Sequence, residues 1–152
     1  RMLHDRHHPA KRNPYNEIEC SSHYARAMSA FGTFISVCGY EYHGPKGYLA
    51  FSPRLTPEKF KAAFTAAEGW GTFEQSRDGG RQQQRIELKW GSLRIRSLAF
   101  DVAEGSEPRT VRVSSAGRPL ESKFDRSGRR VRIELASDAV INRGEALEVA
   151  IE

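Results

Sequence analysis

The residues best equipped for chemistry lie together in "NPYNEIECSSHYARAM", Asn13 to Met28. Glu17 and Glu19 are two carboxylates one residue apart, and Arg26 follows nine positions after Glu17. The two acids are badly spaced for hydrolysis as a pair. A hydrolytic pair flanks the scissile bond from opposing walls, about 5 Å or more apart. Residues two apart do not face each other on a helix, and on a strand they share one side. Glu17 and Arg26 are a better match. At about 100° per residue they fall on opposite faces of one continuous helix. They can share a site only if Glu17 sits in the loop or first turn and the regular helix starts later. Ser21 or Ser22 is the natural N-cap, and Asn13-Pro14 forces an extended entry. The result is a polar rim at a helix N-terminus. Glu17 could accept two hydroxyl donors at once, and Arg26 offers a rigid fork of donors. Adjacent sugar hydroxyls suit such a pair. An ion pair tying loop to helix accounts for the same spacing.

The elements that must position this rim follow from the pattern behind it. Tyr24, Met28, Phe31, Ile35 and Cys38 recur at steps of four and three, which predicts a helix. Ala27, Ala30, Phe34 and Val37 make it apolar nearly all round, as expected of a helix buried among others. Gly39 is its natural stop. Breakers at Gly44, Pro45, Gly47 and Pro53 mark a loop, within which "GYLAFSP" reads as a short strand. "TPEKFKAAF" then starts a second, short helix: Thr56 as N-cap, Pro57 at the first position, Glu58 in the first turn. From Gly79 onward the chain reads as strand and turn, with turns at Asp78-Gly79-Gly80, Gly91, Ala116-Gly117, Ser127-Gly128 and Arg143-Gly144. Leu93 and Ile95 alternate, then the phase slips to Leu98, Phe100 and Val102. That slip predicts a bulge near Arg96–Ser97.

Bulk properties narrow the class. The chain has 152 residues, 38% hydrophobic and 28% charged, with a net charge of +5. That is one ordinary globular domain, moderately basic. No apolar run approaches the roughly 20 residues that span a bilayer. "RMLHDRHHPAKR" has no apolar core, so it does not read as a signal peptide, and position 1 is not methionine, which fits a processed or excised chain. Cys20 and Cys38 flank the helix more than about 20 Å apart, too far to pair. Free thiols and the lack of a targeting segment suggest a cytoplasmic location.

Other groups are read more plainly. His4 and His8 have the spacing of a helical ligand pair, with His7 and Asp5 between. Pro9 and the basic surroundings make a solvated loop the better reading, and neither metal nor cofactor is expected. Trp70 and Phe73 suit either sugar stacking or a core. Trp90, alternating with Ile86 and Leu88, reads as core. Arg94, Arg96, Arg109, Arg112, Arg126, Arg129, Arg130 and Arg132 alternate with apolar residues, as on the polar side of a half-exposed sheet. They come without an aromatic platform, so nucleic acid is not an expected partner.

"KRNPYNEIECSSHYARAM", continued by "GYEYHGPKGYLAFSPRL" and "FTAAEGWGTFEQ", resembles the C-terminal part of the catalytic domain of family 116 glycoside hydrolases. These are β-glucosidases that include the non-lysosomal, bile-acid-type glucosylceramidases. The likeness covers roughly residues 6 to 75. It implies an (α/α)6 barrel and retaining hydrolysis of β-glucosides. It also implies that Glu17 and Arg26 hydrogen-bond the outer hydroxyls of glucose in the −1 subsite. Glu19 and His23 lie in the same motif as possible supporting residues. The family's nucleophile and acid/base lie upstream of this motif, so no catalytic residue is expected in this chain and the chain alone should be inactive.

The expected fold is therefore α+β: terminal helices of an (α/α)6 barrel over residues 1–78, then an antiparallel β tail over 79–152. The expected function is part of a retaining β-glucosidase or glucosylceramidase. Its partners would be a β-glucoside and the rest of the catalytic domain, and a membrane only through a lipid substrate. The alternative is a non-catalytic carbohydrate-binding or structural β module. The glucose contacts leave the aglycone open.

Overall fold

The computed structural model describes residue 10 and residues 24–152. The chain divides into two compact units, Arg1–Ser36 and Val37–Glu152. One α-helix is present among the described residues, α1 (Tyr24–Cys38), over the residues whose spacing predicts it. Gly39 ends it in the left-handed region at φ 55, where a Cβ would collide with Ser52. In the first unit the rings of Phe31 and Phe34 stack at 6.3 Å, one turn apart. Among the described residues no helix is long and apolar enough to cross a membrane.

The second unit is mostly β. Its strands are β1 (Glu41–His43), β2 (Tyr48–Phe51), β3 (Lys59–Ala66), β4 (Gly69–Asp78), β5 (Arg81–Asp101), β6 (Val111–Ser115), β7 (Arg118–Leu120), β8 (Ser122–Ser127), β9 (Arg130–Asn142) and β10 (Ala146–Ile151). They form one ten-stranded sheet folded about its longest member. β5 spans 21 residues. Its first half lies between β4 and β10, and its second half between β2 and β9. The first half thus belongs to a layer ordered β3-β4-β5-β10-β6-β7, and the second to a layer ordered β1-β2-β5-β9-β8. The β2–β5 pair is parallel, so the sheet is mixed.

The core lies between the layers. Phe51 of β2 stacks on Phe73 of β4 at 3.9 Å with the rings coplanar to 1°. Phe64 meets the same Phe51 edge-on at 5.8 Å, and Phe100 stacks on Phe73 at 6.1 Å. All four rings are buried, packed with Leu49, Ile86, Leu88, Leu98, Ile133 and Leu147. Such ring pairs add about 0.5–1.5 kcal/mol each beyond the area they bury. One margin of the core is polar. Gln75 donates to the Pro57 carbonyl at 2.8 Å, Gln82 to that of Asp101 at 3.0 Å, and Arg77 to Gln82 at 2.6 Å. These bonds tie the turn before β3 to the end of β5.

The architecture corrects the expected one. Residues 41–78 do not continue a helical barrel; they are strands β1 to β4, in a mostly β chain. The second helix is absent from its predicted place. Phe60 and Phe64 share a face both at helical spacing and at strand spacing, so the pattern "KFKAAF" is ambiguous. The partner decides it: β3 pairs with β4 through eight residues, burying Phe60 and Phe64 and turning Lys59 and Lys61 outward. Thr56 sits at φ 44, which is not N-cap geometry, and its carbonyl accepts from Lys59 in a turn. Gly91 is not a turn between strands either. It lies within β5 at φ 79, against the Glu68 carbonyl, where no Cβ would fit. The predicted bulge is present, as a register shift between Ile95 and Ser97. The expected hairpin turns at Gly79-Gly80 and Ala116-Gly117 are present too.

Two measurements check this packing. Phe73→Ala removes the ring shared by three aromatic contacts, and should cost about 3–5 kcal/mol in denaturant unfolding. Tyr40 donates its hydroxyl to the Thr65 carbonyl, and its ring lies 5.3 Å from Phe51. Burial, with Tyr42 adding, pushes its pKa up from 10.0 to about 12. The fold therefore favours the neutral phenol. That stabilisation is complete below pH 10 and is lost as pH rises through about 12. Unfolding midpoints should fall over that window, and Tyr40→Phe should remove part of the decline.

Candidate functional site

The outer face of the β3-β4-β5-β10-β6-β7 layer carries a groove of about 1010 Å³. Strand register builds its floor. Lys61, Glu74, Arg85, Glu148 and Ser114 are successive partners across five strands. Four charges of alternating sign thus stand in one row, the favourable order for cross-strand neighbours. Lys61 pairs with Glu74 at 2.6 Å, and Arg85 with Glu148. The hydrogen bond to Glu74 raises the Lys61 pKa. The next row is Lys59, Ser76, Gln83, Ala150 and Arg112, where Arg112 reaches Glu152 at 2.6 Å. Pro119, Leu120 and Ser122 also line the groove. The surface is rich in donors and acceptors but nearly neutralised within itself. Its lining mixes these paired charges with apolar surface from Val111, Pro119 and Leu120.

The opposite layer shows what the arginines do. Arg130 donates to Glu41 at 2.6 Å, Tyr48 at 2.9 Å and Asp101 at 3.3 Å. Burial works against its charge, but the bonds to Tyr48 and Glu41 outweigh that and hold its pKa above the ordinary value. Arg132 lies over the Tyr48 ring at 5.7 Å. Arg94 clamps the Gly44 and Pro45 carbonyls and Asp138. Arg96, Arg126 and Arg129 donate to the Ala136, Ser106 and Val102 carbonyls. Arg109 is held through its backbone to Glu152. These guanidiniums fasten turns to strands.

The residues singled out in the sequence fall in different places. Glu17, Glu19 and His23 lie outside the described residues, as do His4, His7, His8 and Cys20. Arg26 is on α1, with its side chain outside the description. Cys38 is a free, buried thiol whose pKa is raised by burial. Among the described residues no three His, Cys, Asp or Glu side chains are grouped to hold a metal ion. Phe73 is core, whereas Trp70 is 49% exposed. Trp90 is 58% exposed and is not core. The alternation Ile86, Leu88, Trp90 points it inward, but β4 and β5 shift register between Trp70 and Gly71. Leu88 faces Gly71 while Trp90 faces Trp70. Lys89 is the extra residue, and the bulge turns Trp90 out. Lys61, Glu74, Arg85 and Glu148 were not foreseen as a group, because only strand pairing brings them together.

No protein-family model matches the chain, and no curated protein matches it. Among solved structures it has a distant similarity to a glycoside hydrolase, the α-L-rhamnosidase from Dictyoglumus thermophilum. The identity is 10% and the TM-score 0.40, over 76% of this chain. The chain spans 12% of that protein's length.

Arg130→Ala would leave Glu41 and Asp101 without their shared cation. A loss of about 1–3 kcal/mol is expected, read as a lower denaturation midpoint with unchanged slope.

Proposed function

We propose that this chain is part of a β-glucoside hydrolase of the glucosylceramidase type, in which Glu17 and Arg26 hold the glucose ring. The observation that carries this reading is the ordered likeness of residues 6 to 75 to family 116 glycoside hydrolases. It takes in Glu17 and Arg26, whose side-chain types suit adjacent hydroxyls. In this reading the cutting carboxylates come from outside this chain. Glu19 and His23 support the rim rather than touch the sugar. The bond cleaved is the β-glucosidic bond. Glu17 accepts from two ring hydroxyls and Arg26 donates to a ring oxygen, so both act by orienting the sugar.

A second reading, a non-catalytic carbohydrate-binding β module, is favoured by a different observation: the self-contained core of Val37–Glu152 beneath a groove that offers both paired charges and apolar surface.

The test is kinetic. In the enzyme that carries this chain, Glu17→Gln and Arg26→Ala should each lower kcat/KM on an aryl β-glucoside roughly 10- to 100-fold. Unfolding of the β unit should be unchanged. Wild-type kcat/KM in both variants would overturn the proposal, as would robust β-glucosidase activity from this chain alone that survives Glu17→Gln.

A further inference from the structure

Trp70 and Trp90 are direct register partners on adjacent strands, and both side chains are largely exposed. Partners in a ladder point to the same face, with Cα atoms about 4.5–5.5 Å apart. The two indoles therefore rise from neighbouring positions on the outer face of the layer that carries the groove. Glu74 in the groove floor lies four positions beyond Trp70 on β4, about 13 Å along the strand. Two adjacent exposed tryptophans are an unusual use of surface, since large apolar side chains are normally withdrawn from water. Here a bulge is spent on turning one of them outward.

The neighbouring charges indicate what would cover the pair. Glu87 bonds Lys89 and lies 3.9 Å from Arg85. Arg85 also bonds Glu148, and Glu74 pairs with Lys61. A charged ligand would have to break these pairs. A neutral ligand rich in hydroxyls could hydrogen-bond to them as they stand. Such a ligand also needs an apolar face to lie on indole. A β-linked glucose oligomer has both, because its hydroxyls are equatorial and its ring faces present C–H groups.

We infer that the Trp70–Trp90 pair is the stacking platform of a second sugar-binding site, which takes a neutral β-glucan oligosaccharide running from the indoles toward Glu74 and Arg85. This site is separate from Glu17 and Arg26 and does not depend on them.

Trp70 and Trp90 are the chain's two tryptophans, so intrinsic fluorescence reports directly on the platform. Titration of the full chain with cellotetraose to about 10 mM should change the emission saturably. Trp70→Ala and Trp90→Ala, read through the remaining indole, should each weaken binding about 10-fold or more. Trp90→Tyr keeps a flat ring and should bind within about threefold of the parent. Glu17→Gln should leave the emission titration as in the parent, although it lowers kcat/KM in the enzyme. Absence of a saturable change overturns the inference. So does binding that Glu17→Gln abolishes and Trp90→Ala leaves intact, which would place the oligosaccharide at the other site. Indoles shielded from acrylamide in the intact enzyme would also overturn it, because protein rather than sugar would then cover them.

Discussion

Both layers of the β unit share one strand, and that strand can serve both only because it bends. β5 leaves the first layer at Gly91 and enters the second at Ser92. At Gly91 the backbone is left-handed and passes against the Glu68 carbonyl, a path closed to any residue with a Cβ. Ser92 then donates to that same carbonyl at 3.1 Å, which fixes the bend to the start of β4. Once β5 is folded this way, its two neighbours on each side are brought into facing layers. Phe73 of one layer must then meet Phe51 and Phe100 of the other. The register shift beside the bend also sets which way Trp90 points. Core packing and surface display thus answer to the same few residues.

The charges serve the same geometry. The net charge of +5 invites a search for an anionic partner. Yet Arg94, Arg126 and Arg129 donate to carbonyls of turns and loops, and Arg96 to the Ala136 carbonyl within β9. A guanidinium does this better than an ammonium, because its fixed fork can bridge two carbonyls and a carboxylate at once. Arg94 does so with Gly44, Pro45 and Asp138. On the other layer the opposite charges alternate across strands and neutralise one another. Basic composition here is largely a means of holding loops to a sheet.

Local signals were legible where one conformation satisfied them. The steps of three and four from Tyr24 to Cys38, ended by a glycine, have no competing reading, and α1 is there. The phase slip after Ile95 could only be a bulge if the strand continued, and it did. Legibility failed where a pattern fits two periods or where a partner decides. Phe60 and Phe64 obey both helix and strand spacing, and the alanines between them favour helix in isolation. The ladder with β4 outweighs that preference. Trp90 was misplaced because alternation assumes a regular strand, and one extra residue at Lys89 reverses it. The groove was invisible because Lys61, Glu74, Arg85 and Glu148 are far apart in sequence and meet only through register.

The same distinction divides the family likeness itself. Between Gly39 and Gln75 its residues have structural duties in this fold. Tyr40 caps Thr65, Tyr48 bonds Glu41 and Arg130, Phe51 stacks on Phe73, and Gln75 holds Pro57. Gly71 leaves room for the Glu87 carbonyl. A chain could share every one of these to build the same β unit without binding any sugar. The stretch from Asn13 to Arg26 instead brings residues whose types suit a ligand. The proposed glucose contacts therefore rest on the part of the likeness that holds Glu17 and Arg26. A groove with paired charges and an exposed indole pair on the β unit would give that unit its own contact with a carbohydrate, whatever Glu17 and Arg26 do.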